Sequence, residues 1–321
     1  MTTSLDSLRQ YTTVVTDSVD FETLAQFKPQ DATTNPTLVL NAVKQPKAKL
    51  LQPAIEYAKS KSDKKEEIIS LAKDRILVLF GQEILKIIPG RVSTEMDASL
   101  SFDTMATVAK ALQIIDMYKE VGISKDRVLI KIASTYDGIH AARILESEHG
   151  IHCNMTLMFG LGQAIAAAEA GVTLVSPFVG RILDWYKAHT GQEYSAQTDP
   201  GVESVKKIYT YYKQHGYSTV VMGASFRNTG EITELVGVDF LTMAPKLLEP
   251  LMRSTDVLPR KLSPELARKS APMPKRSYLN DRPTFMKELF EDQMAFELLH
   301  NGIRSFASDA QSLGLLMEDL L

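Results

Sequence analysis

Cysteine is almost missing from this chain. Cys153 is the only one among 321 residues, so no disulfide can form within the chain. Such usage fits a reducing compartment, and the expectation is a cytoplasmic protein. No charge of one sign dominates either. Lys and Arg number 36 against 39 Asp and Glu, a net charge of −3. That balance argues against nucleic acid or an anionic membrane as the main partner. No apolar run approaches the roughly 18 residues of a membrane span. The opening MTTSLDSLRQYT has neither the basic nor the apolar region of a signal peptide. Repeats, low-complexity tracts and Pro/Gly/Ser linkers are absent, which favours one domain over 1–321. The six histidines show neither H-E-x-x-H nor H-x-H, so neither a metal nor another cofactor is expected. FGLGQA lacks the third glycine of a dinucleotide fingerprint, and no G-x-S-x-G nucleophile motif occurs.

An average composition remains, 44 % hydrophobic and 23 % charged, which is that of a globular protein. Eight short β-rich runs recur along it: 12–17, 31–36, 91–98, 127–135, 151–158, 172–178, 218–225 and 238–244. Helical patterns separate most of them. Residues 103–121 carry a helical stripe at Met105, Val108, Ala109, Leu112, Ile115 and Tyr118, with Gly122 as its stop. ILVLFGQEILKII (76–88) is ambiguous and reads mostly as helix. The charge run 59–68 reads as a solvated helix face, and prolines such as Pro250 read as helix breaks. Alternating strands and helices imply a parallel sheet. Eight strands with no glycine-rich first turn favour a closed (β/α)8 barrel. Helices from about 284 to 321 are expected to pack on its outside.

Both faces of a strand in such a barrel are buried, so charges within strands stand out. Lys131 shares a face with Leu129 and Ala133. A buried lysine is driven toward its neutral amine, a nucleophile for a ketone; the ordinary alternative is a structural ion pair. Glu95, on a face with Ser93 and Asp97, is a candidate general acid/base, or again an ion-pair partner. Asp17 ends the first strand, as a second carboxylate at the same mouth or as a helix cap. Asn35 and Asn154 sit near strand ends, where an amide can hold sugar hydroxyls; a turn role is the ordinary reading of Asn35. Arg181 and Arg227 follow strands, with Ser225 nearby, and barrel phosphate sites form in such places.

Together these segments resemble transaldolase over nearly the whole chain. DATTNP, GRVSTEMDA, VLIKIAST, NMTLMF and SPFVGRILDW carry the resemblance, in that order. It implies a metal-independent barrel enzyme of the non-oxidative pentose phosphate pathway. Such an enzyme moves a dihydroxyacetone unit between phosphorylated sugars, and a homodimer is implied. The donor would be fructose 6-phosphate or sedoheptulose 7-phosphate. The acceptor would be erythrose 4-phosphate or glyceraldehyde 3-phosphate. By resemblance, Lys131 is the Schiff-base lysine and Glu95 the acid/base acting through a water that Thr156 helps to hold. Asp17 is the second proton-transfer group. Asn35, Asn154 and Ser176 orient hydroxyls, and Arg181, Arg227 and Ser225 hold phosphate. Phe178 stands where the related fructose-6-phosphate aldolases typically carry Tyr, which favours transfer over free aldol cleavage. Gly160, Tyr136 and Asp137 depart from the commoner family residues and put substrate preference in question.

Overall fold

The computed structural model describes residues 2–44 and 49–321. Each of the eight runs contains one strand: β1 Thr13–Asp17, β2 Asp31–Thr33, β3 Val92–Glu95, β4 Val128–Ala133, β5 Cys153–Met158, β6 Leu174–Pro177, β7 Val220–Gly223 and β8 Phe240–Met243. All pair in parallel, in chain order, and β8 closes on β1. The architecture is the expected (β/α)8 barrel.

Caps fix where the helices begin. Asn35 accepts from the Leu38 amide ahead of Pro36–Val43, whose first residue is a proline with its φ already set. Asp199 accepts from the Gly201 and Val202 amides and opens Pro200–His215. Gly122 takes φ +79° two residues past Thr104–Glu120 and turns the chain toward β4.

Three helical details differ from expectation. In Thr104–Glu120 the buried residues are Thr107, Val108, Ala111, Ile114, Met117 and Tyr118, while Met105 is 66 % exposed. The buried face is thus rotated from the apolar stripe. Small residues supply part of it, because they allow the helix to lie close to its neighbours. The charge run falls on the exposed turn between Leu51–Lys59 and Lys65–Leu85, not on one helix face. Pro250 lies inside the helix Pro245–Arg253 without ending it. The ambiguous 76–88 segment is the end of Lys65–Leu85, with Ile76, Val78, Phe80 and Ile84 all buried.

The barrel interior divides along its axis. Val15, Leu129, Leu174 and Met222 form a separate apolar cluster, with Val220 and Phe240 packed on it. The larger core lies between strands and helices. Two residues further along the strands, side chains of the same inward face are Asp17, Lys131, Ser176 and Thr242. The last helix, Gln293–Glu318, runs past the end of β5, the short helix Pro36–Val43 and the helix Gly180–Thr190. A Thr37–Asp309 hydrogen bond fastens it to the loop side of the barrel.

Candidate active site

The pairing register brings the charged residues together. Glu95 of β3 lies beside Lys131 of β4, which lies beside Asn154 of β5. The Lys131 Nζ is 2.8 Å from Glu95 Oε2 and donates to the Thr34 carbonyl at 3.1 Å. Both side chains of the pair are buried. Lys131 is the donor that faces Glu95 Oε2. Thr156 Oγ1 is a buried polar atom without a hydrogen-bond partner among the described residues. Unsatisfied atoms of this kind are sites for a water or a substrate hydroxyl. A register shift between Met155 and Met158, with Leu157 in the left-handed region at φ 51°, re-aims the strand around Thr156. Such backbone costs on the order of 1–3 kcal/mol and is held by its surroundings. Here the surroundings include Gly302 of the last helix, where any side chain would collide with Leu157.

A cavity of about 80 Å³ opens above the lysine. Asp17, Asn35, Lys131, Ser176, Phe178, Arg181 and Ser225 line it. Asp17 accepts from Thr33 Oγ1 at 2.8 Å, and Thr33 in turn meets Thr242 at 2.8 Å. The helix cap expected as the alternative for Asp17 is supplied by Asp20 instead. Asn35 keeps both readings: its oxygen caps a helix while its side chain faces the cavity. Asn154 is held under the cavity, donating to Ser93 Oγ at 3.0 Å and accepting from Ser176 Oγ at 2.6 Å.

Arg181 lies over Phe178 and Phe306, its guanidinium carbon 5.0 and 5.5 Å from their ring centroids. Burial, then the neighbouring Arg227, lowers its pKa. Arg227 itself stands at the rim, with Nη2 2.7 Å and Nε 2.8 Å from Asp184 Oδ2. Its Nη1 donates to the Ser225 carbonyl at 3.2 Å. Ser225 holds a left-handed backbone, φ 61°.

Burial raises both inner carboxyls. Desolvation raises Glu95, against the opposing pull of Lys131, and Asp17 adds to the rise. Desolvation likewise raises Asp17, opposed by Lys131, the Thr33 bond and Arg181. An amine, two carboxyls of raised proton affinity and two arginines at or near one polar cavity are the parts needed for imine chemistry on a phosphorylated carbonyl compound.

The sequence matches the family described as Transaldolase/Fructose-6-phosphate aldolase across residues 14–317. The chain belongs to that family. Relatives named transaldolase support the match throughout its length. That of Kluyveromyces lactis is 59 % identical over 312 residues, 97 % of this chain and 93 % of the relative. That of Saccharomyces cerevisiae is 57 % identical over 317 residues, 98 % of this chain and 94 % of the relative. That of Rattus norvegicus is 55 % identical over 322 residues, 99 % and 94 % respectively.

Some residues of the cavity escaped the sequence reading. Thr33 and Thr242 are ordinary strand threonines until the barrel closes and sets them side by side. Phe306 lies in the last helix, far along the chain from every strand. The family departures sit elsewhere. Tyr136 donates to the Leu279 carbonyl and packs on Phe285, Asp137 pairs with Arg282 at 3.6 Å, and Gly160 faces Ala295. All three positions meet the segment 279–295 and none is among the residues lining the cavity.

Proposed function

We propose that this protein is a transaldolase that carries a dihydroxyacetone unit from a ketose phosphate to an aldose phosphate on Lys131. The observation that carries this reading is the Lys131–Glu95 contact of 2.8 Å beneath a cavity that also holds Asp17.

The chemistry follows from the contacts. Glu95, whose affinity for a proton is raised by burial, takes one from Lys131, and the amine attacks the ketone carbon. Glu95 then returns a proton to the carbinolamine oxygen, through a water seated with Thr156, and water leaves. The cationic imine is an electron sink. Asp17, also raised, removes the proton from the C4 hydroxyl. The C3–C4 bond breaks, its electron pair passes into the enamine, and the aldose phosphate departs. The reverse steps join the enamine carbon to an acceptor aldehyde, and hydrolysis frees the new ketose. Asn154, Ser176 and Asn35 hold the hydroxyls in line, and Arg181, Ser225 and Arg227 bind the phosphate. Arg227 exchanges Asp184 for the phosphate oxygens, a bidentate match for a guanidinium.

Phe178 offers a ring where a hydroxyl would steady a water near the enamine. Its edge-to-face contact with Phe159 at 5.4 Å holds it there. Phe178→Tyr should raise release of free dihydroxyacetone at the expense of transfer; an unchanged ratio would remove Phe178 from this role. The reading also takes the protein as a cytoplasmic homodimer, which light scattering would contradict by returning a monomer mass near 35.6 kDa. Among the described residues no helix is long and apolar enough to cross a membrane.

Borohydride trapping tests the core of the proposal. Incubation with fructose 6-phosphate, reduction and peptide mapping should leave a three-carbon adduct on the peptide that holds Lys131. Binding without an adduct would refute the imine.

A further inference from the structure

Behind the arginine rim lies a pair of acids that the reaction does not use. Glu231, in the short helix Thr229–Thr233, is 0 % exposed, and Asp199, the cap of Pro200–His215, is 2 % exposed. One Asp199 oxygen accepts from the Gly201 and Val202 amides at 2.8 and 3.2 Å. Glu231 Oε2 accepts from the Arg227 backbone amide at 2.7 Å. Glu231 Oε1 is buried with no donor of its own. The Asp199 carboxyl lies close enough to raise the proton affinity of Glu231, since a neighbouring carboxylate disfavours a second negative charge.

The turn that Glu231 grips is tightly enclosed. Gly180 donates to the Ser225 carbonyl at 2.9 Å, and a side chain at Gly180 would strike Arg227 Cγ and that same carbonyl, each 2.6 Å away. The turn is thus held against the start of Gly180–Thr190 on one side and by the bond to Glu231 on the other.

We infer that Glu231 is a positioning residue for phosphate recognition: its bond to the Arg227 amide fixes the turn carrying Ser225 and Arg227, and its pairing with Asp199 keeps that bond in place. This rests on the phosphate reading of Arg181 and Arg227 above. Burial first, then the Arg227 amide bond in opposition and Asp199 in support, set Glu231 at about 7. The other charges facing the pair are the Arg227 guanidinium and, toward Asp199, Lys187 of the helix Gly180–Thr190. Neither forms a hydrogen-bonded ion pair with Glu231. Below neutrality Glu231 donates to Asp199 and accepts from the Arg227 amide together. Above it the proton leaves and the two carboxylates repel, so Asp199 no longer holds Glu231 in place behind the turn.

Glu231→Gln preserves both bonds, with its amide NH2 toward Asp199, and cannot titrate. Glu231→Ala removes both. The probes are erythrose 4-phosphate and erythrose, with fructose 6-phosphate as donor. Expected for Glu231→Ala is a KM for erythrose 4-phosphate raised about tenfold or more, with kcat within about twofold and the KM for erythrose unmoved, the pattern of lost uniform binding. Expected for Glu231→Gln is a wild-type KM at pH 6, without the extra rise that wild type shows as pH passes about 7. Titration of the substrate phosphate is common to both enzymes and cancels. An equal loss for both sugars, or a Gln variant that keeps the wild-type pH rise, overturns the inference; if the Ala variant does not fold, the Gln profile decides alone. Arg227→Ala separates the two levels. If it spares the KM for erythrose 4-phosphate, the phosphate reading falls and this inference with it. If it raises that KM while Glu231→Ala does not, this inference alone falls.

Discussion

The two ends of the barrel interior are built from the same strands and behave as opposites. Val15 and Asp17, Leu129 and Lys131, Leu174 and Ser176, and Phe240 and Thr242 are each two residues apart on one inward face. The first of each pair belongs to or packs on the dry cluster, and the second lines or lies beside the polar cavity. One end is filled with side chains that need no partner. The other concentrates an amine, carboxyls and hydroxyls whose burial is offset largely by one another. The lower end stabilises, and the upper end accepts a stability cost in order to hold its groups dry and aimed.

Substitutions at the two ends should therefore have opposite signatures. The largest effect is expected from Lys131→Met. Turnover should fall by roughly 10⁴-fold or more, with the borohydride adduct abolished and circular dichroism unchanged; appreciable transfer activity in a folded variant would end the contrast. Next is Leu129→Ala, in the floor below the lysine. It should cost about 2–5 kcal/mol in denaturant unfolding while kcat at 25 °C stays close to wild type. A loss of activity without a loss of stability would show that the floor is part of the chemistry.

Asp17→Asn sharpens the comparison from the other side. Because the folded protein holds the Asp17 proton above the ordinary value of 3.8, it binds more protons than the unfolded chain just above that value. Stability from this group is therefore lost as pH rises from the ordinary value through the raised one. The variant should melt higher than wild type at pH 7, with the gain shrinking toward pH 3, while turnover falls. A gain independent of pH would assign the effect to packing. The smallest change is Gly160→Ser. Gly160 caps the helix Leu161–Glu169 with an ordinary φ of −113°, and an added Cβ would sit 3.4 Å from Ala295. A serine hydroxyl there should add a few tenths of a kcal/mol, read as a slightly higher Tm with unchanged kinetics.

How much of this was legible depended on whether a residue's meaning was local. The strands were, because β-branched apolar runs between helical patterns have few other uses, and a charge inside such a run, as at Lys131 and Glu95, announces itself. The face of Thr104–Glu120 was not, since its neighbours rather than its own apolar residues select which side is covered. The helix Lys65–Leu85 was ambiguous because it is covered on several sides and so lacks a single stripe. Asp199 and Glu231 carry no local signal in the sequence; only the fold sets them near one another and leaves Glu231 Oε1 without a hydrogen-bond partner among the described residues.

Phe306 gives the last helix a chemical meaning. The lysine, both inner carboxyls, the two arginines and β8 all precede that helix in the chain. Without that helix one wall of the cavity, and the second ring beneath Arg181, would be missing. An enamine formed then would stand open to water and be lost by protonation. Placing that wall in Gln293–Glu318 makes the shielding of the cavity depend on how this one helix docks on the barrel.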